Sequence, residues 1–381
     1  MKHLYLFDET SSNAAVYGVG TYIRMLVSSL KDLDMAITIV KILSDYDRVI
    51  IENKENVRYI YIPHLIPKMA IRSNYFRSVA FIILPFISSH ENNIFHYNYI
   101  DCHDLAVWLK TYFPLSKHLL TIHYRIPNKF ENFEKEQDFM IHYCDRIIVL
   151  TKQASYYLQN DYKVISENVF VVGNCVDDKL SSFKFDKDSI KVSLGISLKT
   201  KIILFVGRLD RNKNPMILLK AFERVLNVDN NVHLILVGKG DYDSLFPFID
   251  CRGKVSFTGF LNSDLLHKIY LCADLGVIPS FYEEFGYVAI EMMMHGIPII
   301  ANRTTGLAEV IENGISGDLL DLYTNINEED SIELLSNSII RLLLDDLRKN
   351  NYSANARKRY LEFYNVETFK DKMLEIYNGL S

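Results

Sequence analysis

The chain has 381 residues, 49% hydrophobic and 23% charged, with a formal net charge of −5. That is an ordinary globular composition with length for about two to three domains, and its negative charge argues against a dedicated nucleic-acid binder. Five cysteines (Cys102, Cys144, Cys175, Cys251, Cys272) are scattered without a Cys-x-x-Cys pair, which fits a reducing cytoplasm and neither a disulfide framework nor a zinc site.

In chain order, His3–Phe7 predicts a strand, and the amphipathic stretch Thr21–Leu30 predicts a helix behind Gly18-Val19-Gly20. Short β-branched runs at Ile37–Ile42, Val57–Ile62, Ile94–Tyr97, Leu119–Ile122, Arg146–Leu150 and Val169–Val172 predict further strands. The N-terminus reaches Asp8 too soon for a signal peptide. Val79–Ile87 falls short of the ~20 apolar residues that a membrane span needs and contains Pro85. Behind Lys68, Arg72 and Arg77 it reads either as a buried helix or strand or as a peripheral contact with an anionic membrane. The expected location is therefore cytoplasmic, with the inner membrane face as the alternative.

The rhythm breaks over 179–200, which is charged and aperiodic and predicts a linker between a first domain at 1–178 and a second at 201–353. The second domain restarts with strands at Ile202–Val206, His233–Val237, Val255–Thr258, Leu275–Ile278 and Ile297–Ala301. Helices fall between them at Met216–Leu226, Ser263–Cys272 and Gly286–His295, and Ser331–Leu347 follows. Strands alternating with helices predict an α/β chain with two doubly wound, Rossmann-like parallel sheets. The tail, 354–381, reads as one more helix.

The chemistry concentrates in the second domain. Ile202–Val206 ends in Gly207-Arg208, with Lys213 five residues on. A parallel strand's C-terminal end is where α/β folds bind ligands, and Arg208 and Lys213 on one loop suit a diphosphate. Further on, Pro279-Ser280-Phe281-Tyr282-Glu283-Glu284-Phe285-Gly286-Tyr287 leads into an apolar helix that carries Glu291. The helix start offers N–H donors around Phe285, Gly286 and Tyr287. Glu283 and Glu291, eight positions apart, would lie about 80° apart on a helix, so that both reach one extended ligand. Glu291 is flanked by Val288-Ala289-Ile290 and Met292-Met293-Met294, so it is expected to be buried with a partner.

This order of residues resembles the retaining nucleotide-sugar glycosyltransferases of family 4 (glycosyl transferases group 1), which have the GT-B fold. The resemblance implies two Rossmann-like domains facing across a cleft, with a terminal helix at 354–381 that packs back on the first. It implies that Arg208 and Lys213 hold the donor's diphosphate, with Asn214 standing where the family has Gly. Glu291 would accept from ribose hydroxyls, Glu283 would lie by the donor sugar, and the backbone after Val255, at Gly259, would read the base. Gly18 and Gly20 match the family's glycine-rich loop, and His123, in Thr121-Ile122-His123-Tyr124-Arg125, its histidine beside the reacting sugar; His103 is a weaker candidate. Asn174-Cys175-Val176-Asp177 resembles the family's Asn-Gly-Val-Asp. Asp241-Tyr242-Asp243 is not expected to bind metal, because Arg208 and Lys213 already supply positive charge.

The implied activity is metal-independent transfer of a hexose-type sugar from a nucleoside-diphosphate sugar (UDP or GDP) to a hydroxyl of a glycan, lipid-linked or other acceptor. No cofactor is implied beyond that co-substrate. Alternatives on the same fold are a non-catalytic partner subunit and a sugar-nucleotide epimerase or phosphorylase.

Overall fold

The computed structural model describes residues 2–9, 18–63, 72–89, 92–123, 134–181, 186–241 and 253–380. The chain divides into two compact units: Met1–Cys175 with Val366–Ser381, and Val176–Asn365.

Among the described residues, the first unit carries one sheet of eight strands. They are β1 (Lys2–Asp8), β2 (Met35–Ser44), β3 (Ile50–Lys54), β4 (Val57–Pro63), β5 (Asn92–Tyr97), β6 (Lys117–Ile122), β7 (Arg146–Val149) and β8 (Val169–Val171), in the order β3-β4-β2-β1-β5-β6-β7-β8. All pair in parallel except β3, which runs antiparallel to β4 at the edge. The parallel pairing agrees with the expectation, while β3 departs from it. A two-residue hairpin links β3 to β4 through Glu55, at φ +53°, without the Asn-Gly dipeptide that usually announces such a turn. The central strands are apolar on both faces; Leu4, Tyr5, Leu6, Phe95, Leu119 and Leu120 are wholly buried, as expected for a parallel sheet covered on both sides.

Helix Arg72–Ile83 buries Val79, Ala80 and Ile83 in this core. The apolar side of this helix thus packs in the core, while Arg77 and Phe81 are exposed and Lys68 lies outside the described residues. Among the described residues no helix is long and apolar enough to cross a membrane.

On another part of the core, helix Val19–Leu30 packs with the tail helix Val366–Asn378, which supplies Phe369, Met373, Ile376 and Tyr377. The tail is not a single helix. Asp346–Phe363 belongs to the second unit and Val366–Asn378 to the first, with the break at Tyr364 and Asn365. The last carbonyls of Val366–Asn378 are held by cations: Lys2 Nζ donates to Tyr377 O at 3.0 Å, and Arg146 donates to Ile376 O at 2.8 Å and Gly379 O at 2.6 Å.

Among the described residues, the second unit carries six strands: β9 (Lys201–Val206), β10 (Val232–Val237), β11 (Val255–Gly259), β12 (Leu275–Ile278), β13 (Ile299–Asn302) and β14 (Gly317–Leu320). They are all parallel, in the order β11-β10-β9-β12-β13-β14. The stretch expected to be a linker contains helix Lys187–Ser193, capped by Asp186, and belongs to this unit; Lys187 Nζ reaches Asp274 Oδ1 at 2.8 Å. Helix Pro215–Val228 opens on Pro215, a good first helical residue, and buries Ile217, Leu218, Ala221, Phe222 and Val225 at helical spacing.

Strand order fixes where ligands bind. From β9 the chain moves outward to β10 and β11, then returns to the other side of β9 as β12, so the switch point lies between β9 and β12. In the first unit the corresponding reversal lies between β1 and β5.

Candidate functional site

In the second unit, the loops that follow β9 and β12 carry the residues singled out in the sequence and are tied to each other at the switch point. The Lys213 ammonium forms an ion pair with Glu283 Oε1, and Ser280 Oγ donates to the same oxygen at 3.1 Å. Phe281 N donates to Asn212 O at 2.8 Å, and Asn212 Nδ2 donates to Tyr282 O at 3.1 Å. Arg208, with its side chain 72% exposed, pairs with Asp210 Oδ2 at 3.0 Å. Asp210 Oδ1 accepts from the Lys213 backbone N–H at 2.9 Å, so one carboxylate shapes the turn and orients the guanidinium. Asp210 and Ser280 were not among the expected site residues.

Asn214 has φ +45° and ψ +56°, the left-handed conformation that a glycine in this place would adopt without strain. Its side chain adds what glycine lacks: Nδ2 donates to Tyr323 OH at 2.9 Å, and Tyr323 OH donates to Pro279 O at 2.5 Å. The replacement thus braces the loop after β9 against the one after β12.

Gly238 and Gly240 close the loop after β10. A Cβ on Gly238 would stand 1.7 Å from Gly207 O, and one on Gly240 2.2 Å from Leu209 O. These glycines let the backbone beside Gly207-Arg208 pack without side chains between. At the end of β11, Gly259 O accepts from Gly238 N at 2.9 Å, and Lys239 Nζ stands 5.4 Å over the Phe260 ring.

Helix Tyr287–Met294 begins after Gly286, at φ +105°. Ala289 N and Ile290 N donate back to Gly286 O, at 3.0 and 3.3 Å, and close its first turn. Because the helix starts at Tyr287, Glu283 lies outside it and Glu291 only one turn in. The spacing of the two carboxylates is therefore not a helix-face relation, and the two-turn reading is corrected. The Glu283–Phe285 loop is instead fixed by contact: Gly306 N donates to Glu283 O at 3.0 Å, and a Cβ on Gly306 would lie 2.5 Å from Glu284 O. The Phe285 ring is buried against Tyr364, edge to face at 5.9 Å, so only its backbone can serve a ligand. The Tyr287 side chain is half-buried.

Glu291 is part-buried and accepts from Tyr270 OH at 2.7 Å, the partner that its apolar surroundings required. Burial pushes its carboxyl up to about 7, against the pull of Tyr270 and Lys179. Behind it, His295 Nδ1 donates to the Glu291 carbonyl at 2.7 Å, and burial holds His295 neutral by lowering it to about 3. His295 Nε2 must then accept, taking the His267 Nδ1 proton at 2.6 Å. The Tyr270 ring stacks on His295 at 4.8 Å.

In the first unit, Gly18 (φ +79°) caps helix Val19–Leu30, and among the described residues nothing lies within 4 Å of where its Cβ would stand; Gly20 is buried one residue into that helix. Tyr22 of the same helix meets His123 edge on at 4.6 Å, which brings the glycine loop and the histidine to one end of the sheet. His103 pairs with neighbouring Asp104, at 3.5 Å, and meets the Phe139 ring edge on at 6.0 Å. Asp241 N donates to Leu209 O at 3.0 Å, while Tyr242 and Asp243 lie outside the described residues, as do residues 10–17 of the glycine loop. Among the described residues no three His, Cys, Asp or Glu side chains gather as a metal site.

Residues 186–359 match the family described as Glycosyl transferases group 1. The match falls within the second unit. Among curated proteins, an uncharacterised glycosyltransferase, MJ1607, of Methanocaldococcus jannaschii is 31% identical over 233 residues, covering 56% of this chain and 58% of that protein. A D-inositol 3-phosphate glycosyltransferase of Segniliparus rotundus is 31% identical over 188 residues, covering 47% of this chain and 41% of that protein. The chain thus spans about half the length of the curated relatives it matches. Among solved structures, sucrose-phosphate synthase from Thermosynechococcus elongatus superposes with a TM-score of 0.78 at 21% identity, covering 100% of this chain and 99% of that one. Anabaena Alr3699/HepE in complex with UDP gives 0.76 at 16% identity, covering 100% of both. At these identities the likeness is one of fold: two Rossmann-like α/β domains of the GT-B class. The matched stretch contains Arg208, Lys213, Gly259, Glu283, Phe285, Gly286, Tyr287 and Glu291.

Proposed function

We propose that this chain is a retaining, metal-independent glycosyltransferase that moves a hexose-type sugar from a nucleoside-diphosphate sugar to a hydroxyl acceptor. The observation that carries this reading is the meeting of Arg208, Lys213 and Glu283 on two tied loops at the switch point of the second unit's sheet. Arg208 and Lys213 stabilise the charge that develops on the departing diphosphate. Glu283 exchanges the Lys213 ammonium for a hydroxyl of the donor sugar once phosphate oxygens arrive. Glu291 receives the ribose hydroxyls, with Gly259 beside the base and the N–H groups at Phe285, Gly286 and Tyr287 on the distal phosphate or sugar.

In this mechanism no carboxylate acts as a covalent nucleophile. The acceptor hydroxyl attacks from the leaving group's face, and an oxygen of the β-phosphate takes its proton. The new C–O bond forms as the bond to the diphosphate breaks, with the anomeric configuration kept. UDP is the first donor base to try, because the similar Alr3699/HepE was solved with UDP. Acceptors in polysaccharide, glycoconjugate or lipid-linked glycan synthesis fit a hydroxyl-directed transfer.

The test is thermal unfolding with UDP, GDP, ADP and CMP, on wild type and Arg208→Ala. A ligand at 100 times its dissociation constant adds about 2.7 kcal/mol. A shift with one diphosphate, lost in Arg208→Ala, followed by transfer from the matching sugar nucleotide in the presence of EDTA with an α product from an α donor, is the expected result. No shift with any nucleotide, and no transfer, would favour a non-catalytic partner subunit.

A further inference from the structure

His123 follows β6, Asn98 follows β5 and Phe7 lies in β1, so three neighbouring strands bring them together at the C-terminal edge of the first unit's sheet. Asn98 is wholly buried. Its Nδ2 donates to Phe7 O at 3.1 Å, and a carbonyl can only accept, so the orientation of this amide is settled. The other end of the amide, Oδ1, lies 3.0 Å from His123 Nε2. An amide oxygen also only accepts, so the proton of the His123 ring sits on Nε2. Burial pushes His123 down to about 3, which keeps the ring neutral around pH 7. The titratable groups facing it among the described residues are also neutral there: Tyr22, whose hydroxyl burial pushes upward, and His96, which burial lowers to about 3.

A neutral imidazole with its proton on Nε2 presents a lone pair at Nδ1. That atom takes part in no hydrogen bond among the described residues. The Tyr22 ring walls one side of the imidazole at 4.6 Å, and the Asn98 bond fixes the ring's rotation. We infer that Asn98 is a positioning residue that sets His123 as a hydrogen-bond acceptor through Nδ1, directed at a substrate hydroxyl. A lone pair here attracts an O–H and repels phosphate or carboxylate oxygens, so this point selects the neutral, sugar-like part of a substrate. The substrate class rests on the transfer reading above; the tautomer does not.

The test separates the two. The full-length protein is labelled with ring ¹⁵N-histidine, and the His123 signals are assigned by their loss in His123→Asn. The expected spectrum has a protonated Nε2 and an unprotonated Nδ1, unchanged between about pH 5.5 and 8, the range in which an ordinary histidine titrates. A protonated Nδ1 in wild type would overturn the inference even if sugar transfer is robust. Asn98→Asp turns a carboxylate onto Nε2 and should make the ring an imidazolium at neutral pH. Its kcat/KM should then recover only as the ring deprotonates on raising the pH, giving an acidic limb that wild type lacks. A folded Asn98→Asp protein with the wild-type pH profile would also overturn it.

If Asn98→Asp does not fold, two variants at His123 decide. His123→Asn can place its carbonyl near the site of Nδ1, whereas His123→Gln places its amide near the site of Nε2. Retained acceptor function predicts that His123→Asn exceeds His123→Gln in kcat/KM by about tenfold, the worth of one hydrogen bond. The reverse order would sink the Nδ1 assignment. A correct tautomer with no turnover of any nucleotide sugar would overturn the transfer reading and the hydroxyl assignment with it.

Discussion

Lys213 and Glu283 neutralise each other across the loops that follow β9 and β12. In the proposed reading, a diphosphate and this carboxylate compete for one ammonium. Glu283→Gln should free Lys213 and tighten the binding of a nucleoside diphosphate, while lowering turnover of the full nucleotide sugar. Lys213→Ala should weaken diphosphate binding about 10- to 100-fold, the range for losing one charge-assisted hydrogen bond. Calorimetric titration of both variants checks the two opposite signs.

Glu291 supplies a pH test. Its carboxyl lies at about 7 in the folded protein against 4.5 without that environment. Below 4.5 it is protonated whether the chain is folded or not, so it contributes no pH dependence there. As pH rises from 4.5 to 7 the unfolded chain loses the proton first, and folding stability falls. Glu291→Gln should abolish that fall and be the more stable protein at pH 8, by an amount on the order of 1–3 kcal/mol, with the difference shrinking toward pH 5. Denaturant titrations at pH 5, 7 and 8 measure it. If the ionised form binds ribose, nucleotide affinity of wild type should rise through pH 7 and that of Glu291→Gln should stay flat.

Gly238→Ala tests the close approach of the loops after β9 and β10. The added carbon would meet Gly207 O at 1.7 Å, and φ is +149°. The backbone must move, at a cost of about 1–3 kcal/mol for the strain alone. Melting temperature and nucleotide affinity should fall together, because the displaced residues adjoin Arg208.

Tyr377→Phe probes the buried polar chain under the tail helix. Tyr377 OH bonds His96 Nδ1 at 2.8 Å, and His96 Nε2 bonds Thr121 Oγ1 at 2.7 Å. Removing one hydroxyl leaves a buried ring nitrogen without its partner, which should cost about 1–3 kcal/mol in unfolding experiments. Tyr377→Phe with His96→Leu should recover part of that loss, since an apolar pair leaves nothing unsatisfied.

The fold was legible where burial leaves a run of apolar residues. Ile202–Val206 and His3–Phe7 are covered on both faces, and their composition announces it. β3 and β14 were missed because Ile50–Lys54 is a largely exposed edge strand whose Ile-Ile-Glu-Asn-Lys sequence lacks apolar alternation, and Gly317–Leu320 is only four residues long. At the site, Arg208, Lys213, Glu283 and Glu291 stood out as charges at the ends of apolar runs. Asp210 and Ser280 did not, because their work is to hold other side chains. An Asp three residues before Lys213 was nevertheless a turn signal that could have been read. Tyr270 and Asn98 come from distant strands and helices, and only the sheet order brings them to Glu291 and His123.

The tail helix makes the first unit discontinuous in sequence: its core takes Phe369, Met373, Ile376 and Tyr377 from the far end of the chain. On a ribosome, residues 2–175 emerge long before the helix that completes their core. The second unit, Val176–Asn365, is contiguous and can close while the first still waits. During synthesis the nascent first unit exposes the apolar groove of helix Val19–Leu30, which makes it the half of the protein most in need of chaperone cover.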